Sequence, residues 1–201
     1  MEVLILSGGN SSRMNSPKAF LNIKGISLIE TLCNTYIFAG ISSPIVVFNH
    51  NLFENKWADV MRSISSKAKI IKNDFPEKGR TYSIQLGLSK IAHNSNCIIQ
   101  NIDNPEINVE LLHQMSGKIE ENGFVVPVKN GQGGHPILLG KNIVNHLKNL
   151  TSDTWILKEE LKAFKRIEID AGGTNVLLNL NTPDDWKNYV ESIISLNTTK
   201  K

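Results

Sequence analysis

Cysteine is scarce: the 201 residues hold only Cys33 and Cys97, far apart and in no metal-ligand spacing. That excludes a disulfide scaffold and a zinc motif, and it fits a reducing compartment. The excess of positive over negative charge is small too. The net charge is +3, and the basic stripe of a dedicated nucleic-acid binder is missing; Lys200-Lys201 is only a short tail. No apolar run reaches the roughly 18 residues of a membrane span. Met1 to Leu6 lacks a basic n-region and is too short for a signal peptide. The expectation is a cytoplasmic protein with no nucleic-acid or membrane partner, in which the sequons at Asn10, Asn149 and Asn197 carry no meaning. What is present is an ordinary globular mix, 40% hydrophobic and 20% charged, long enough for one substantial core.

Strand-like and helix-like segments alternate. Val3 to Leu6 is short and continuously apolar, as in a strand buried on both faces. Leu28, Ile29, Leu32, Tyr36 and Ile37 recur at helical spacing, with Gly40 as a stop. Strands are expected at Pro44 to Phe48, Ala68 to Ile71, from Cys97, at Phe124 to Val128, Arg166 to Ile169 and Val176 to Leu180. Helices are expected at Tyr82 to Ile91, Val109 to Ile119, Ile143 to Leu147 and Thr154 to Ala163. A last helix starts at Thr182-Pro183-Asp184-Asp185, with Thr182 as N-cap and Pro183 at the first helical position. The order predicts a single three-layer α/β/α domain with a mostly parallel sheet. It spans residues 1–195 and leaves 196–201 as a polar tail.

The most informative stretch comes directly after the first strand: Leu6-Ser7-Gly8-Gly9-Asn10-Ser11-Ser12-Arg13-Met14-Asn15-Ser16-Pro17-Lys18. In open α/β sheets, ligands bind at the carboxyl ends of strands. Paired glycines let backbone N–H groups approach a phosphate or base closely. Arg13 brings a planar fork for phosphate and Lys18 a compact point charge. Lys18 is preceded by Pro17, so this is not a Walker A loop. Two adjacent glycines are not a Rossmann fingerprint.

The pattern Leu-x-Gly-Gly-x-Ser-x-Arg-Met-x-x-Pro-Lys resembles the signature loop of the nucleotidyltransferases with a nucleotide-diphospho-sugar-transferase fold. In particular it resembles the MobA-like NTP transferases, the molybdenum-cofactor cytidylyl- and guanylyltransferases. The resemblance implies that Leu6, Ser7, Gly8 and Gly9 contact the nucleotide. It implies that Arg13 binds the departing phosphates and that Lys18 sits near the α-phosphate, the two acting as catalytic cations.

Other motifs occur in the family's order. Asp103, in Ile102-Asp103-Asn104-Pro105, comes just after the fourth strand, where a carboxylate faces the same edge as the first loop. It is a hard-oxygen ligand suited to Mg²⁺ on phosphates, and the resemblance implies that metal role. The family often has Gly where Ile102 stands. Gly79 to Leu88 resembles a helix start whose serine, here Ser83, reads base or ribose. Gly134-His135-Pro136 resembles a segment of the cytidylyltransferase branch, and His135 suits an anionic acceptor or a phosphate. Leu178 to Asp185 resembles the family's closing segment, but Asn181 stands where the family has a second metal-binding acid. Its amide oxygen can ligate Mg²⁺ without adding charge, so weaker metal affinity is expected.

Together these motifs imply Mg²⁺-dependent transfer of a nucleoside monophosphate from an NTP, CTP ahead of GTP, to a phosphorylated acceptor, with pyrophosphate leaving. Molybdopterin is the acceptor that the resemblance favours, and a molybdoenzyme is the partner it raises. Sugar or alditol phosphates are the alternative acceptors. A nucleotide-binding module without catalysis is the alternative of another class, motivated by Ile102 and Asn181.

Overall fold

The structure, a computed structural model, describes residues 1–9, 14, 16–152 and 154–198, the last three by backbone only. Its strands are β1 (Glu2–Ser7), β2 (Asn22–Ile23), β3 (Ile26–Ser27), β4 (Ile45–Asn49), β5 (Lys69–Asn73), β6 (Cys97–Asn101), β7 (Gly123–Lys129), β8 (Gln132–Gly133), β9 (Ile137–Leu139) and β10 (Lys165–Asp170). Its α-helices are α1 (Leu28–Phe38), α2 (Ala58–Ser65), α3 (Gly79–Leu88), α4 (Val109–Lys118), α5 (Lys141–Asn149), α6 (Leu157–Glu160) and α7 (Pro183–Thr198).

The main sheet runs β10-β7-β9-β6-β1-β4-β5, with β8 paired to β7. β1 pairs in parallel with β4 and β6, and β4 with β5. β9 is antiparallel to both β6 and β7, and β10 is parallel to β7. Side chains alternate across the sheet. Val3 and Ile5 join Val46, Phe48 and Ile98 beneath α1 and α4. Leu4 and Leu6 join Ile45, Val47 and Ile99 beneath α3 and α5. Each β1 residue from Val3 to Leu6 is buried, so the run needs no polar alternation. The result is the expected three-layer domain with a mostly parallel sheet.

α1 starts where the sequence gives it a capping box. The Glu30 backbone N–H donates to Ser27 Oγ, and the Ser27 N–H donates to the Glu30 carboxylate at 3.1 Å. α7 starts the same way. Asp185 accepts from the Asn181 and Thr182 N–H groups at 2.9 and 2.8 Å, while its own N–H donates to Thr182 Oγ1. These bonds hold the Asp185 carboxyl below its usual range, Thr182 foremost.

Four expectations differ from the structure. Val176 to Leu180 is not a strand; its backbone groups bond to loops instead. Val176 O accepts from His135 N at 3.1 Å, and Leu180 N donates to Asp103 O at 2.8 Å. Its apolar residues Val176 and Leu180 are buried from this irregular path. The antiparallel β9 has no counterpart among the expected strands, because three residues are too few for a period to register. The helix expected over Thr154 to Ala163 is α6 and one 3-10 turn after it, and α3 begins three residues before Tyr82.

Candidate active site

β1 and β6 lie side by side, with Leu6 opposite Asn101. The chain leaves β1 toward β4 on one side, and β6 flanks it on the other. This is the point where the strand order reverses, and in open α/β sheets a crevice opens there. The loops after the two strands, carrying Gly8-Gly9 and Ile102-Asp103, therefore leave the sheet as neighbours. They line a cleft of about 290 Å³ together with Lys18, Pro76, Gly79 and Arg80.

Lys18 is anchored by the two residues after it. Ala19 and Phe20 are buried, and the Phe20 ring meets Trp57 at 4.8 Å and Phe48 at 5.8 Å. The Lys18 side chain is 12% exposed. Its Nζ donates to Asn181 Oδ1 at 2.9 Å and stands 3.8 Å from the Asp103 carboxylate. Three residues separated by up to 163 positions thus meet at one ammonium. Two bonds tie the Asp103 turn to the segment that carries Asn181. The Asp103 carbonyl accepts from Leu180 N, and Asn104 Nδ2 donates to Leu178 O at 2.6 Å. A buried network holds the turn itself: Tyr36 Oη donates to Gln100 Oε1 at 2.7 Å, and Gln100 Nε2 donates to the Asn101 and Asn104 carbonyls.

Gly8 and Gly9 differ. A Cβ on Gly8 would stand 2.7 Å from Ser83 Oγ, whereas one on Gly9 would meet nothing within 4 Å. Only Gly8 is required by close approach. Ser83 lies a turn inside α3, so the N–H groups left open at the helix start belong to Gly79 through Tyr82. Its hydroxyl accepts from Asn73 Nδ2 at 3.0 Å and supports the glycine loop from below. Leu6 and Ser7 close the end of β1 and line the cleft. Arg13 lies outside the described residues.

Arg80 carried no expected role, yet it is central. Its Nη2 donates to Asn101 Oδ1 at 3.0 Å. A guanidinium only donates, so the amide is oriented: its Nδ2 faces His135 Nε2, 3.2 Å away. His135 Nε2 must then accept, and the proton sits on Nδ1. Burial, and secondarily the Arg80 charge, push the imidazole down to about 4, so His135 is neutral near pH 7. Its Nδ1 is buried without a hydrogen-bond partner among the described residues. Arg80 and His135 also line a second, wider cavity of about 650 Å³ between β7, β10 and α6. The signal in the sequence was a lone arginine at a helix start, a feature too common to single out.

Among the described residues, no group of three or more His, Cys, Asp or Glu side chains could hold a metal. One carboxylate and one amide oxygen converge instead. That donor set fits a hard cation held mainly by water and ligand phosphates, the usual manner of Mg²⁺.

A family model, the MobA-like NTP transferase domain, matches residues 3–166. The chain is 21% identical over 190 residues to the molybdenum cofactor cytidylyltransferase of Escherichia coli (strain K12), covering 92% of this chain and 93% of that one. A nucleotidyl transferase from Methanothermobacter superposes with a TM-score of 0.78 at 15% identity, over 97% of this chain and 98% of that one. A Mycobacterium tuberculosis protein solved in complex with manganese superposes at 0.70 and 17% identity, over 95% and 98%.

Proposed function

The chain belongs to the MobA-like NTP transferase domain family, and from that premise we propose that it transfers a nucleoside monophosphate from an NTP to a phosphorylated acceptor. CTP is the preferred donor and molybdopterin the favoured acceptor, both supported by the cytidylyltransferase relative. The observation that carries the reading is the meeting of Lys18, Asp103 and Asn181 at the cleft where the strand order reverses.

An acceptor phosphate oxygen attacks the α-phosphorus, a new P–O–P bridge forms, the α–β bond breaks and pyrophosphate leaves. Such chemistry needs positioning and charge stabilisation more than a protein nucleophile. A phosphate monoester has its second pKa near 6, so at pH 7 the nucleophile is mostly a dianion and needs no protein base. Consistently, the neutral His135 accepts a hydrogen bond from Asn101 and takes no proton. Gly8 and Gly9 give the nucleotide backbone contacts, with Leu6, Ser7 and Ser83 behind them. Lys18 lies at the α-phosphate, and Arg13 takes the leaving phosphates. Asp103 and Asn181 are the residues to hold a divalent cation, Mg²⁺ first. When bound, that ion neutralises phosphate charge and polarises phosphoryl oxygens. Until it arrives, Lys18 supplies the positive charge between the two oxygens.

Lys18→Ala tests the reading. Pyrophosphate release from CTP with a divalent cation should fall by roughly 10² or more, the scale of losing one preorganised charge-stabilising group. Undiminished release would overturn it.

A further inference from the structure

The turn that carries Asp103 is held from beneath by two residues that line neither cavity, Gln100 and Tyr36. β6 ends at Asn101, and Ile102 N still donates to Leu6 O at 3.1 Å. Asp103 then sits at the tip of a turn that closes with Asn104 N donating to Asn101 O at 3.3 Å. That bond is long, and the Asp103 carboxylate meets Lys18 only at 3.8 Å. Firmer support comes from Gln100. It stands opposite Ile5 of β1 and is fully buried. Its Nε2 donates to the Asn101 carbonyl at 2.7 Å and to the Asn104 carbonyl at 2.6 Å, one at each end of the turn. Both carbonyls only accept, so the amide is oriented and its Oε1 faces Tyr36. Tyr36, wholly buried in α1, donates to that oxygen from Oη at 2.7 Å. Burial pushes the Tyr36 phenol up, so it keeps the proton it donates. A buried amide is costly unless its bonds are made, and here both donors and the acceptor are engaged. Asn104 passes the constraint on. Its Oδ1 accepts from Asn101 Nδ2 at 3.0 Å, and its Nδ2 donates to Leu178 O at 2.6 Å, three residues before Asn181.

We propose that Gln100, oriented by Tyr36, is a positioning residue for the divalent-cation site. By holding the Asn101 and Asn104 carbonyls it fixes the Asp103 carboxylate, and through Asn104 the segment of Asn181, at the spacing that one cation needs. This rests on the nucleotidyl-transfer reading, in which Asp103 and Asn181 hold that cation, and extends it into the core. An aliphatic side chain at position 100 would suit the strand, as Ile98 and Ile99 do. It would also leave two buried carbonyls without these donors. The turn would rearrange to find others, and its tip, Asp103, would move with it. A small hard cation demands near-ideal ligand geometry, so the shift is felt first in metal affinity.

The test measures Mn²⁺ binding by calorimetry with CTP present, and CTP binding separately without a cation, well below the Tm of each variant. Gln100→Leu should weaken Mn²⁺ by roughly tenfold or more, the scale of losing a group that orients a metal ligand, and should leave cation-free CTP affinity unchanged. Tyr36→Phe removes one oxygen and keeps the ring in its core space. It should weaken Mn²⁺ by about threefold, the worth of one net hydrogen bond. If Gln100→Leu does not fold, Tyr36→Phe decides alone. Ile64→Ala is the control: this fully buried residue lies on α2, which packs on α1 and β5. It should lower stability and keep the native Mn²⁺ affinity. Native Mn²⁺ affinity in the Gln100 and Tyr36 variants would overturn the proposal. So would an equal loss in Ile64→Ala, which would reduce the network to general core stability. Mn²⁺ binding that depends on Gln100, in an unmodified chain that releases no pyrophosphate, would overturn nucleotidyl transfer and leave the positioning role standing.

Discussion

In the proposed metal site, Asn181 is the residue at which a single atom would set the affinity for a cation. Its Oδ1 accepts from Lys18 at 2.9 Å, so it faces the same ammonium as the Asp103 carboxylate. Asn181→Asp keeps the shape and adds one negative charge beside Asp103. Binding of Mn²⁺ with CTP present, measured by calorimetry, should tighten by about tenfold. Unchanged affinity would remove Asn181 from the metal site. His135 makes the second prediction. Its ordinary value is 6.5 and the folded value is about 4. Between those limits the unfolded chain binds a proton that the folded chain refuses, so stability is present above pH 6.5 and is lost as pH falls toward 4. The loss is on the order of 3 kcal/mol for full protonation. His135→Gln can still accept from Asn101 and has no such proton. Urea unfolding at about pH 7.5 and about pH 5 should therefore give a smaller difference for the variant. Residues such as Lys18 and Asp103 were legible because loop chemistry marked them. Arg80 was not, because its importance comes from lying between two cavities, and only the folded chain brings those together.

At the scale of elements, the loops that carry the site are tied to one another as well as to the sheet. Gly134-His135 is seated between β7 and the 174–181 segment: Gly134 N donates to Pro127 O at 2.8 Å and His135 N to Val176 O at 3.1 Å. A Cβ on Gly134 would stand 2.4 Å from Val176 O, a backbone atom that cannot turn aside. Gly134→Ala must therefore push the segment that ends in Asn181. It should cost about 1–3 kcal/mol of stability, as overpacking does, and should weaken metal and nucleotide binding from a distance. Chemical denaturation and CTP titration check the two effects separately. In sequence, the Gly-His-Pro motif reads as a place for a ligand-binding histidine. In the structure its glycine is a spacer, and its histidine accepts from Asn101 and lines the wider cavity. The strand expected at Val176 to Leu180 differs for a reason of backbone partners. Apolar residues in a row read as a strand whether their backbone partners are a neighbouring strand or, as here, the loops at Asp103 and His135.

For the whole molecule, the parallel core was readable because each central strand is a bounded apolar run, and a βαβ order leaves few topologies. The pairing order was not, since it depends on which face each helix covers. β1 contributes Val3 and Ile5 to one core and Leu4 and Leu6 to the other. Neither half can melt without exposing the strands of the other, so heat should unfold the described α/β body in one transition. The cleft is built from the ends of β1 and β6, Lys18 and the start of α3, and Asn181 is tied to it through Lys18, so ligand binding is linked to that same transition. At a CTP concentration of about a hundred times Kd with a divalent cation, linkage adds about 2.7 kcal/mol. For a chain of this size each kcal/mol raises Tm by about 2–4 °C. A shift of roughly 5–10 °C is expected for the native chain. Lys18→Ala should shift little at the same concentration, because its affinity has fallen. Two separate transitions in calorimetry, with CTP moving only one of them, would mean that the cleft sits on a unit able to unfold apart from the rest of the sheet.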